Sequence, residues 1–99
     1  MKKIIFATVA VVTLSSAYST QYELDRCTTA LKAARVSGLK LEYAKKAGMS
    51  TDVYTTIHKM DLVEEIANCS DIELPSDRKK LEQSLRGVVA GAKRLLKVL

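Results

Sequence analysis

Apolar and basic positions separate most cleanly at the end of the chain. From Asp77 to Leu99, the residues Leu81, Leu85, Val88, Ala92, Leu95 and Leu99 fall on one stripe at helical spacing. Val89 and Leu96 lie beside that stripe, and Lys79, Arg86, Lys93, Arg94 and Lys97 gather on the opposite face. Pro75 bars helix from entering from upstream, and Ser76 or Asp77 supplies the N-cap. At the rise of an α-helix this element is roughly 34 Å long. Its apolar stripe needs cover from the rest of the chain or from a partner.

Upstream, Thr20-Gln21-Tyr22-Glu23 reads as a capping box that opens a helix, with Leu24, Cys27, Leu31 and Ala34 inward at spacings of three and four. Ser37-Gly38 either interrupts or bends it; Leu41, Ala44 and Ala47 continue a small-residue face to Gly48, a C′ glycine. Glu42 and Lys46 form an i,i+4 pair in the favourable order. Ser50 begins a further helix, with Asp52 in its first turn and Val53, Ile57 and Met60 as its apolar side. Asp61-Leu62-Val63-Glu64 resembles a second cap, followed by a buried line of Leu62, Ile66 and Cys69, so residues 51–69 read as one helix or two. Ser70 to Ser76 is a linker. With no strand-period alternation, the fold class is all-α: a small bundle of three to five helices ending in a long amphipathic one.

The first residues set the compartment. Lys2 and Lys3 precede an apolar run, Ile4 to Leu14, and Ser15 and Ala17 place small side chains before a cleavage point. This is a secretory signal peptide of bacterial style over residues 1–17, too short in its apolar core to span a bilayer. The mature part, residues 18–99, is then a single helical domain exported to the periplasm. A core of that size commonly needs a staple, and an oxidising destination makes a Cys27–Cys69 disulfide the natural one. Two cysteines and one histidine, His58, are a weaker alternative as a metal site.

Charge changes the picture further. The full chain carries +5, but residues 18–77 hold seven bases and ten acids, whereas residues 78–99 hold seven bases and one acid. Asp61, Glu64, Glu65, Asp71, Glu73 and Asp77 follow one another with no intervening base. Such a block repels itself unless a counter-charge arrives, which marks Asp61, Glu64, Glu65, Asp71 and Glu73 as candidate partner-binding residues for a cationic protein. The competing reading is a solvated helix end and loop, neutralised by the neighbouring basic helix. That basic face has three readings: ordinary solvated surface, a grip on anionic lipid or murein, or contact with an acidic cleft on another protein. Nucleic acid fits poorly, since export removes it and few aromatics are available for stacking. Tyr18, Tyr22, Tyr43 and Tyr54 read as core edges with wet hydroxyls.

Catalytic signals are sparse. His58 reads as a solvated side chain, Glu64 and Glu65 diverge by about 100° on a helix, and there is no phosphate loop, zinc-protease motif or calcium loop. No cofactor is implied, and the functional reading rests on binding.

The leader Met1-Lys2-Lys3-Ile4-Ile5-Phe6-Ala7-Thr8 and the segment Tyr22-Glu23-Leu24-Asp25-Arg26-Cys27 resemble the Spackle proteins of T-even-type bacteriophages. Those are small exported helical proteins with an early Tyr-acid-x-Asp-x-Cys segment and a second cysteine downstream. Here the cysteine spacing is shorter and a long basic helix follows Cys69. The resemblance implies superinfection exclusion, by inhibition of the tail lysozyme of an incoming phage. Lysozymes are commonly cationic, which suits the acidic block; a glycosidase cleft also holds carboxylates that a base of the last helix could occupy. Two alternatives come from other classes. One is a periplasmic acid-stress chaperone similar to the HdeA family; the other is a cationic membrane-surface helix protein of antiholin or toxin type.

Overall fold

The computed structural model describes residues 18–99, so the leader assigned to residues 1–17 lies outside the described residues. Three α-helices account for most of them: α1 (Gln21–Lys46), α2 (Asp52–Cys69) and α3 (Lys79–Val98), the last preceded by a 3-10 turn at Ser76–Arg78. The described part is all-helical, as the periodicity predicts.

The caps explain where α1 begins and ends. Thr20 Oγ1 accepts from the Glu23 amide at 3.1 Å, and Glu23 Oε1 accepts from the Thr20 amide at 2.9 Å, closing the predicted capping box. At the other end Gly48 takes φ +69°, the Ala47 amide donates to the Tyr43 carbonyl and the Met49 amide to the Ala44 carbonyl. That left-handed turn reverses the chain into α2 and favours glycine.

Ser37-Gly38 neither breaks nor ends α1. Its buried line is Leu24, Cys27, Ala30, Ala34, Ser37, Leu41 and Ala44, in steps of three or four. Small side chains in that seam let α2 approach closely. Residues 52–69 form one helix, and Asp61-Glu64 sits in its middle rather than at a cap. The apolar side expected of α2 is corrected: Val53 (66% exposed), Ile57 and Met60 face outward, and His58, Leu62, Glu65 and Cys69 face inward. The Cys27–Cys69 disulfide dictates this rotation. Once Cys69 must point at α1, residues four, seven and eleven positions earlier follow it inward.

The disulfide forms as expected, with both cysteines wholly buried. It sits in a core with Leu24 of α1, Ile72 and Leu74 of the linker, and Leu85 and Val89 of α3. A second cluster joins Ala34, Leu62 and Ala92, with Leu96 and Leu99 packed against it. The two clusters together show α1 and α3 running one way and α2 the other. Both α1 and α3 pack on α2, yet no Cα of α1 lies within 8 Å of a Cα of α3.

The linker is more structured than a polar connection. Ser19 donates its amide to the Glu73 carbonyl at 2.8 Å, and Ser19 Oγ accepts from the Glu73 amide at 2.9 Å. Neither Ser76 nor Asp77 caps α3 with its side chain; instead Glu82 reaches back and accepts from the Leu74 amide at 2.6 Å. The predicted α3 stripe is accordingly split. Leu85, Val89 and Ala92 are buried with Glu82, while Leu81, Val88 and Leu95 remain more than a third exposed.

Candidate binding surfaces

The acids predicted as one docking face separate onto different surfaces. Asp61 and Glu64 line a groove of about 440 Å³ between α1 and α2, shared with Asp25, Tyr22 and Arg26 of α1. Arg26 holds its guanidinium 5.8 Å from the Tyr22 ring centre. Gln21 donates to Asp25 at 2.9 Å and Asn68 to Glu64 at 3.2 Å, orienting both carboxylates without neutralising them. Asp71 is exposed and lines an adjoining hollow with Tyr22 and Arg26. Asp25 was not singled out by sequence; it joins because it lies one turn before Thr29 on the same face of α1.

Glu73 and Glu65 do not belong to that groove. Glu73 faces α3, where Arg86 Nη2 approaches its carboxylate at 3.3 Å. The same guanidinium donates to the Ser70 carbonyl at 2.8 Å and the Ile72 carbonyl at 3.3 Å. Arg86 therefore fastens the linker to α3 and leaves the set of freely solvated bases. Lys79 is likewise engaged, 3.1 Å from both Glu82 oxygens. Lys93, Arg94 and Lys97 are exposed and make no ion pair among the described residues.

Glu65 is only 4% exposed, and burial raises its carboxyl above the ordinary glutamate value. The Glu82 carboxyl moves the opposite way, held low first by the Leu74 amide and then by the Lys79 ammonium, against some desolvation. His58 corrects the expectation of a solvated side chain, being 6% exposed and hydrogen-bonded to Ser37 Oγ through Nδ1 at 2.9 Å. The same Ser37 hydroxyl lies 3.1 Å from the Ala34 carbonyl, which ties the ring to the α1 backbone. Gly38 makes room for this ring, since a Cβ there would stand 3.0 Å from His58 Cε1.

His58 and Glu65 both line a second, larger groove of about 530 Å³, bounded by α1, α2 and α3. No group of three or more His, Cys, Asp or Glu side chains is placed to hold a metal among the described residues. Tyr18, Tyr22 and Tyr43 prove to be exposed, and Tyr54 is half-buried. No described helix is long and apolar enough to cross a membrane. Neither a protein-family model, a curated protein nor a solved structure matches this sequence.

Proposed function

We propose that this is an exported, non-enzymatic binding protein that seats its acidic α1–α2 groove on a cationic protein, the tail lysozyme domain of an incoming phage. The observation that carries the reading is the convergence of Asp25, Asp61 and Glu64 on one open groove with no ion pair to any of them among the described residues. Unneutralised carboxylates on a rigid hairpin steer a positively charged partner and fix its register. Tyr22 and Arg26 add the aromatic and guanidinium contacts that commonly anchor an interface. The disulfide holds this end of α1 to α2 and so keeps the groove preformed, which lowers the ordering cost of binding.

The test is turbidity loss of a murein suspension under a phage tail lysozyme, with oxidised protein titrated in. Inhibition saturating near one equivalent, and weakened by Asp61→Asn with Glu64→Gln, supports the reading. Undiminished lysis, together with strong binding of residues 77–99 to anionic vesicles, rejects it. The exposed Leu81, Val88 and Leu95 favour one other reading, an acid-stress chaperone. That reading requires suppression of client aggregation after acidification and none at neutral pH.

A further inference from the structure

The larger groove is built like a vacancy in a helical bundle. From α3 and its C-cap Leu99, Val88, Ala92, Leu95 and Leu99 enter it at steps of four, three and four; from α2, His58, Leu62 and Glu65 enter at four and three. From α1 come Leu31, Ala34, Gly38 and Leu41, again at steps of three and four. Three helices thus turn heptad-like seams toward one channel, while α1 and α3 stay too far apart to close it. The α3 wall from Val88 to Leu99 spans roughly three helical turns, about 16 Å.

Two carboxylates line this channel, exposed Glu42 of α1 and buried Glu65 of α2, and the buried one specifies the occupant. Glu65 has no hydrogen bond or ion pair among the described residues, although Arg35 and Lys45 stand on the same groove's α1 side. No fully enclosed side-chain oxygen or nitrogen lacks a partner in the described part, so the unpartnered Glu65 oxygens keep some accessible surface, and this channel is the groove that Glu65 lines. An apolar ligand would leave that carboxylate dehydrated and unpaired, an arrangement that costs more than the open groove. A cationic side chain set in an apolar helical face satisfies both the seam and the charge.

We propose that this groove is a docking slot for an amphipathic helix of a partner protein, carrying one lysine or arginine within its apolar seam to pair with Glu65. The helix completes a four-helix arrangement with α1, α2 and α3, its leucines packing on Val88, Ala92 and Leu95. The slot includes α3 residues and the acidic groove includes none, so the two surfaces stand or fall separately.

The probe is a pair of fluorescein-labelled, alanine-based peptides of about four turns. Both carry leucines at three–four spacing; one has a central lysine in the seam and the other norleucine. Fluorescence anisotropy with the oxidised protein at neutral pH should give about tenfold tighter binding for the lysine peptide, as a charge-assisted hydrogen bond supplies. Glu65→Gln should erase that preference, and Asp52→Asn, an exposed acid of α2 outside both grooves, should leave it intact. Leu95→Asp, or Val88→Asp as a second variant, should weaken both peptides about tenfold or more with the far-ultraviolet circular dichroism unchanged. The proposal is overturned by no saturation with either peptide up to about 0.5 mM, by equal affinities for the two, or by a lysine preference that survives Glu65→Gln. Concentration-dependent dimerisation that Leu95→Asp abolishes also overturns it, because a second copy then fills the slot.

Discussion

Replacing both cysteines by alanine, Cys27→Ala with Cys69→Ala, tests the role of the disulfide in an otherwise small core. The bridge joins residues 42 apart, and the chain-entropy account assigns closure of such a loop about 4 kcal/mol. A chain of this size ordinarily has a total stability of about 4–12 kcal/mol, so the loss takes a third of it or more. Alanine is the appropriate replacement because both sulfurs are wholly buried, and serine would add two enclosed hydroxyls. Urea unfolding followed by circular dichroism is the assay. With a slope near 1 kcal/mol/M, the midpoint should fall by roughly 3–4 M. The bridge also lies at the one point where α1, α2, the linker and α3 share a core. Hydrogen exchange should therefore accelerate most in the first half of α3, around Leu85 and Val89, before it does so in the α1–α2 turn. A stability difference under about 1 kcal/mol would refute the claim that the staple compensates for a small core.

Four further outcomes follow from the same packing. Gly38→Ala would ordinarily stabilise a helix interior by about 1 kcal/mol, but its Cβ meets His58; the gain should appear only in a His58→Ala background, as a thermal double-mutant cycle would show. Glu65→Gln should stabilise the fold at neutral pH. Its raised carboxyl means the folded chain holds that proton longer than the unfolded one, so its contribution is favourable in acid and is lost as pH rises from 4.5 through the folded value. Urea midpoints of wild type and Glu65→Gln should converge below that window, and parallel pH profiles would contradict this. Glu82 has the opposite sign: its contribution is present above 4.5 and is lost as pH falls through the lowered folded value, so Glu82→Gln should destabilise at neutral pH and lose its effect in acid. Arg86→Ala should loosen the linker by removing its bonds to the Ser70 and Ile72 carbonyls, read as faster amide exchange at Leu74.

How far the sequence reveals this molecule depends on which physical signal each residue carries. The caps at Thr20 and Gly48 are local, involving side chains within a few positions, and they are legible. The disulfide follows from the export reading and the cysteine count. The face of α2 is not legible from hydrophobicity, because its buried line contains His58 and Glu65 while Val53, Ile57 and Met60 point to solvent. The usable signal was Cys69 itself: stepping back from it by four, seven and eleven positions gives Glu65, Leu62 and His58. A counted acidic block likewise conceals that adjacent glutamates leave a helix about 100° apart. Glu64 and Glu65 consequently serve different surfaces, and Glu73 belongs to the Arg86 clasp. The linker's role depends on long-range partners, Ser19, Glu82 and Arg86, which no local pattern announces.

We propose that the acidic groove on the stapled helical hairpin captures a cationic lysozyme. Isothermal titration of the oxidised protein into a phage tail lysozyme domain addresses it most directly. The expected result is one-to-one binding that weakens with added salt and loses about tenfold in affinity when Asp61→Asn and Glu64→Gln are combined. Absence of binding heat together with absence of inhibition, or an affinity indifferent to both salt and those two substitutions, would contradict it.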